Sequence, residues 1–454
     1  MGPAGAVWLG VAAVAWLAFR PFADAPGTEL MGEGHLWPFG RATALSSLGL
    51  AVALLGFSRS QFGANVCRGL ERVGRVARRA CLHPWWLALA TLPVLWMLRC
   101  RVHTGDVGRV IFDIDHGVWL LTAEPLAPAL FLLGARGLGM FGVPPMAAVV
   151  AVVVVAGAAA VAGLLRLSAQ ITSRCPACWP GVVLMLVGSG TSALYFGHIE
   201  TYTVSATLLV WSMSLGWDGL AEGGSWRARV AAAAALSLAA AFHMAHLAGF
   251  AALLCLSWPD LRARRPLDAA WVLLAGLVPA AAAEALALGC PSLGPTTPQH
   301  FGGLDGIMLL SWTATRHTLA PYTLASGDHL VAIANVLLLV CPVAVALPVC
   351  LALRPLRSAM ALAPRRWLAS VAAVAAGWLT LLLLWSPDLG SLHDWDLFAA
   401  VGIPLSALTA TCLVSSVVPN LAGAPVLLLG IGLVQTAPLA GLVLFNSALW
   451  FSGH

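Results

Sequence analysis

The sequence predicts an all-α, polytopic membrane bundle, and three observations carry that reading. Of 454 residues, 60% are hydrophobic and 9% charged, with a mean hydropathy of +0.89. A soluble domain carries about a quarter charged residues, so these charges are too few to coat a globule of this size. Apolar runs of about 14 to 27 residues recur from end to end, the length that crosses a bilayer as helix. The runs do not alternate polar and apolar residues, as barrel strands would. A soluble enzyme, a disordered chain and a nucleic-acid binder are excluded together; the net charge of +5 says nothing about a polyanion until the charges are located.

About thirteen apolar segments can be placed in order: 4–19, 42–57, 84–98, 140–165, 181–196, 201–215, 229–242, 244–258, 269–288, 329–353, 367–386, 397–418 and 425–450. The first lacks the charged start and small-residue cleavage site of a signal peptide and is kept as an anchor. The pairs flanking 197–200 and His243 are short and enclose polar residues, as helices that turn at one membrane face do. Residues 1–83 read as an additional pair of spans followed by a basic cytoplasmic loop, and 84–454 as the core. All 24 basic residues are arginine, which fits codon bias rather than function, and the ten cysteines form no disulfide framework.

Arginine counting gives the sidedness. Seventeen of the 24 arginines fall in the loops after the second, fourth, sixth, eighth and tenth segments, which places those loops and the amino terminus in the cytoplasm. The acids and histidines, not used in that choice, then gather on the other face: 14 of 19 acids, and every histidine but His83. Chemistry is therefore expected at the extracytoplasmic face of the membrane.

In the first large outer loop, 99–139, Asp106, Arg109, Asp113 and His116 fall on one helical stripe about 80° wide, opposite Val107, Val110, Ile111 and Ile114. That pattern predicts an interfacial helix with its polar stripe toward water. Glu124, before Pro125, marks where the chain re-enters apolar sequence. The next turn, YFGHIETY over 195–202, holds two of the three tyrosines together with His198 and Glu200. An ionisable pair at membrane depth costs roughly 2.5–3.5 kcal/mol per charge and marks a pathway or site, or else a pin between helices. His243 and His246 stand i, i+3 apart, on one face if helical: a substrate contact, a packing contact or, third, half a metal chelate. The long outer loop 289–328 contains Arg316, whose guanidinium suits a phosphate or diphosphate head group, and Tyr322; His329 opens the following span. His393, Asp394, Trp395 and Asp396 precede the next apolar helix. One aspartate suffices as a cap, and the rest of that cluster has the carboxylates and aromatic ring that grip a sugar. Cys175-Pro-Ala-Cys178 lies on the cytoplasmic side with no second pair, so reduced thiols are the expectation.

YFGHIETY, PYTLASGDHLVAIAN (321–335) and HDWDLF (393–398) resemble segments of bacterial GT-C integral-membrane glycosyltransferases, and the resemblance spans most of the chain from about Pro84 onward. It implies a GT-C-like core with interfacial helices in the first outer loop. It also implies transfer of a hexosyl or pentosyl group from a polyprenyl-phosphate-linked donor to a glycan, lipid or protein acceptor. In that family a first-loop carboxylate is the general base; Thr104-Gly105-Asp106 matches its Gly-Asp motif, with Asp113 and Asp115 as competitors. The adjacent Asp-Glu pair of some branches is missing. His116, Arg109, His198, Glu200, Tyr202, His243, His246, Arg316, Tyr322, His329, His393, Asp394 and Asp396 are the expected substrate contacts. Among them Arg316, Arg109 or His329 would neutralise the departing phosphate while inversion proceeds from the opposite face of the sugar. No cofactor is required, and the outer acids leave room for magnesium or manganese. The competing readings are a secondary transporter with a His/Glu relay, which calls for inverted repeats, and a metal-dependent membrane hydrolase or transferase.

Overall fold

The computed structural model describes residues 61–81, 83–99, 107–121, 124–290, 309–312, 323–345, 347, 364–385, 395–417, 423–436 and 439–440. Among them every regular element is helical, apart from one antiparallel bridge between Leu309 and Trp385. The α-helices are α1 (Gln61–Ala80), α2 (Pro84–Met97), α3 (Val107–Asp115), α4 (Ala127–Gly139), α5 (Pro145–Ile171), α6 (Trp179–Val187), α7 (Tyr202–Leu220), α8 (Trp226–Phe242), α9 (Ala252–Arg262), α10 (Pro266–Gly289), α11 (Gly327–Val340), α12 (Arg365–Leu384), α13 (Trp395–Ala399), α14 (Gly402–Val417) and α15 (Ala424–Gln435).

Five helical stretches among the described residues are long and apolar enough to cross a membrane: Pro145–Ile171, Met244–Arg262, Pro266–Gly289, Arg365–Leu384 and Leu397–Ser415. A sixth arises if the bent pair Ala64–Ala80 and Pro84–Met97 counts as one span. The expectation of about thirteen segments counts apolar runs, and several of these break before reaching span length. Residues 181–196 become α6 and the 3-10 helix Gly190–Tyr195, and α8 stops at His243 before the 3-10 helix Met244–Gly249. What reads as a basic loop after residue 57 contains the 20-residue helix α1. Its arginines recur at helical spacing, leaving Gly74 and Cys81 to be buried against the bundle.

The core is built around α5, which packs on α2, α4, α6 and α7; α8 lies between α7 and α10, and α12 packs on α9, α14 and the Met244–Gly249 turn. Alanine, valine and glycine dominate α5 and let neighbouring backbones approach closely. Two contacts fix α5 and α7 as parallel: Thr207 Oγ1 donates to Ala156 O at 3.1 Å and Trp211 Nε1 to Ala159 O at 3.1 Å. The arrangement therefore puts the start of α5, the start of α7 and the end of α8 at one end of the bundle. The ends of α5 and α7 and the start of α8 lie at the other. Every outer-face cluster read from the sequence and present among the described residues of α3, the 195–202 turn and the 243–246 break falls at the first end.

Candidate active site

The first outer loop folds back onto the bundle. Leu126 N donates to Ala241 O at 3.0 Å, which docks the loop on the last turn of α8. This seats Glu124, 3% exposed, among groups from distant segments. Arg109 Nη2 lies 2.7 Å from its Oε2, and His243 Nε2 3.6 Å from its Oε1. A buried carboxylate is tolerable only when paired, and the arginine supplies that pairing.

α3 does not lie as the sequence predicts. Asp113 is buried at 8% exposure beside Val110 at 3%, while Asp115 and His116 are exposed and Arg109 is half-buried. The expected water-facing stripe therefore splits. The reason is the neighbour: α3 packs on α4, so its Val110–Asp113 face turns toward Phe131 and Pro128 rather than toward lipid. Val110, Asp113, Ile114, Glu124, Pro128, Phe131 and Thr201 line a small cleft. His116 closes on its own helix, with Nδ1 2.8 Å from Phe112 O and its ring stacked on Phe112 at 3.8 Å.

The 195–202 turn reverses at Gly197, whose φ of +76° favours a residue without Cβ. His198 Nε2 stands 3.8 Å from Oε1 of Glu200, itself 2% exposed. Tyr202 meets the His243 ring edge-on at 4.6 Å, so Arg109, Glu124, His243 and Tyr202 form one continuous chain of contacts. Thr201 Oγ1 and the Tyr195 hydroxyl are buried with no hydrogen-bond partner among the described residues.

His243 occupies an extended break (φ −155°, ψ 120°) and its Nδ1 accepts from Ala245 N at 3.2 Å. An accepting Nδ1 leaves the ring proton on Nε2, directed at Glu124. His246 points elsewhere, with its ring edge-on to Trp378 at 5.0 Å. The expectation that these two histidines share an α-helical face is thereby corrected: α8 ends at His243, and although His246 N donates to His243 O at 3.1 Å in the 3-10 turn, the two rings meet different partners. His329 is fully buried, and its Nε2 donates to Leu383 O at 2.9 Å, tying α11 to α12. Asp396 stands on α13, its side chain outside the described residues. Asp106, Arg316, Tyr322, His393 and Asp394 also lie outside them. Among the described residues no three His, Cys, Asp or Glu side chains gather at metal-binding distance.

The residue that the sequence reading did not select is Glu124. Its signal was present: an acid directly before proline, at the mouth of an apolar run with no further charge before Arg136.

No family model and no curated protein sequence matches the chain. Among solved structures it is similar to ArnT from Cupriavidus metallidurans bound to undecaprenyl phosphate, at 14% identity and a TM-score of 0.50, over 82% of this chain and 78% of that one. The apo form of the same protein aligns at 14% identity and a TM-score of 0.48, over 79% and 76%. The chain thus has the GT-C fold and is a multi-pass membrane protein.

Proposed function

We propose that the protein is a membrane glycosyltransferase that moves a sugar from a polyprenyl-phosphate-linked donor to a hydroxyl acceptor, inverting the anomeric centre. The observation that carries this reading is the Arg109–Glu124–His243 chain closing over a cleft that also holds Asp113. It combines an acid–base group, a cation and buried hydroxyls at the end of a bundle whose fold is shared with a protein that binds undecaprenyl phosphate. Arginine counting puts that end outside the cytoplasm.

Asp113 is the general base in this reading: its carboxylate takes the acceptor hydroxyl proton as the oxygen attacks the anomeric carbon. Asp106 is the competitor and Asp115, exposed on the far side of α3, the weakest of the three. As the sugar–phosphate bond breaks, the charge gathering on the leaving phosphate is met by Arg109, with Arg316 as a second cation. Glu124 positions Arg109 and the Nε2 proton of His243, while Thr201, His198, Glu200 and Tyr202 line the approach. A divalent cation enters this mechanism at no step.

The test is reconstitution with a polyprenyl-phosphate sugar and assay of transfer. Asp113→Asn is expected to lose about 10²-fold or more while the protein still purifies folded. Full transfer by both Asp113→Asn and Asp106→Asn would show that the assigned base is wrong.

A further inference from the structure

The Cys175-Pro-Ala-Cys178 turn lies at the opposite end of α5 from Glu124 and has no part in the proposed transfer. There the 3-10 helix Pro176–Cys178 runs straight into α6. Packing of α1 holds it in place. Arg78 Nη1 donates to Ser173 O at 2.9 Å, and Gly74 sits so close that a Cβ on it would stand 1.9 Å from Pro176 O. In this rigid setting the two sulfurs are 3.1 Å apart, Cys178 donating to Cys175. Cys178 is fully buried and Cys175 half-buried, so one thiol can be reached from solvent and the other cannot.

That asymmetry decides the chemistry. A tetrahedral zinc with Zn–S bonds of about 2.3 Å would push the sulfurs apart to about 3.8 Å and call for further ligands. A disulfide, at about 2.05 Å, needs only that the pair close. We propose that Cys175 and Cys178 form a redox-active dithiol, oxidised to a disulfide by exchange with a low-molecular-weight disulfide such as glutathione disulfide.

Cys175 is the attacking group. The Cys178 hydrogen bond outweighs burial and, with the backbone N–H groups of Cys178 and Ala177, brings the Cys175 thiol down to about 7. The same hydrogen bond, with burial, pushes the Cys178 thiol up. The Cys175 thiolate attacks one sulfur of the reagent, forming a mixed disulfide and releasing one glutathione thiolate. Cys178 then gives up its proton and attacks Cys175 Sγ, forming the protein disulfide and releasing the second glutathione. Two electrons pass from the cysteine pair to the reagent, which leaves as two thiols.

The full chain, purified reduced in nanodiscs, is titrated with glutathione disulfide, quenched with an alkylating agent and mapped by mass spectrometry. The expected result is loss of two of the ten thiols, both in the 175–178 turn, restored by reductant. Cys178→Ser should retain one glutathione at Cys175, and Cys175→Ser none. The proposal is overturned if all ten thiols still alkylate after titration. It is equally overturned if the glutathione of Cys178→Ser sits on another cysteine, or if the disulfide joins Cys175 to Cys67, which α1 brings into electrostatic range of the pair.

Discussion

Both ends of the bundle contain an arginine–carboxylate pair, and the two pairs are finished differently. At the end that arginine counting places in the cytoplasm, Arg229 is paired with Asp260 through both carboxylate oxygens and also donates to Gly219 O at 3.0 Å and Gly224 O at 3.4 Å. Beside it Arg166 meets Asp218 at 2.5 Å, and Gln170 Nε2 donates to the other Asp218 oxygen at 2.7 Å. Of the buried polar side-chain atoms around that end, Trp179 Nε1 is the exception without a described partner. At the opposite end Glu124, paired with Arg109, borders a cleft, and Thr201 Oγ1 and the Tyr195 hydroxyl are buried without described partners. The same chemistry is thus finished in two ways: a closed network that ties helices together, and a pair beside a cleft that the proposed function assigns to substrate.

Breaking each pair should separate the two, and the largest effect is expected at the Glu124 end in activity. Beyond Asp113→Asn, Glu124→Gln keeps the shape but removes the charge that orients Arg109 and His243. Transfer should fall by about 10-fold to 10²-fold, with the melting temperature within a few degrees of the parent. Activity intact in this variant would assign the Glu124 cluster to structure alone.

The converse holds for Arg229→Ala. It strands Asp260 in the interior, and removing one partner of a buried pair costs about 3–5 kcal/mol. Thermal unfolding in nanodiscs should show a large drop, while any protein that survives should transfer at the parental rate. If Arg229→Ala melts with the parent, the closed-network reading fails.

A smaller, sharper effect is expected at Thr201. Removing its hydroxyl as Thr201→Val keeps the volume and leaves no described hydrogen bond broken. KM for donor or acceptor should rise by about threefold to tenfold, within the roughly 0.5–1.5 kcal/mol of one hydrogen bond, at unchanged kcat and stability. Unchanged KM for both substrates would take Thr201 out of the substrate path.

The smallest effect concerns pH at the Cys175–Cys178 turn. Because the Cys175 thiol is lowered to about 7, its alkylation rate should climb with pH through a midpoint near 7, whereas an ordinary cysteine climbs around 8.5. In Cys178→Ser the hydroxyl is a different donor and the midpoint should shift upward. A midpoint near 8.5 in the parent would separate the two sulfurs chemically.

Much of this is legible in the sequence. YFGHIETY and the Phe-His-Met-Ala-His-Leu segment read as turns between short helices, and both form breaks at the same end of the bundle, because a polar residue in an apolar run has few places to go. The Asp106–His116 stripe read less well. Periodicity places residues around a helix axis but is silent about which side meets protein, so Asp113, expected in water, is turned inward by α4. His243 and His246 lose their shared α-helical face for a related reason: spacing places side chains around one axis only while the same helix continues, and α8 ends at His243.

The sequence by itself determined that the chain is a helical membrane protein and which turns hold the ionisable residues. Hydropathy and arginine bias are sums over neighbouring residues, so they survive without a fold. Only the tertiary structure decided that Glu124 meets Arg109 and His243, that Asp113 shares their cleft and that α1 clamps the Cys175–Cys178 turn. Those partners come from segments far apart in the chain, and a side chain buried in apolar surroundings takes whichever partner the packed backbones bring within reach.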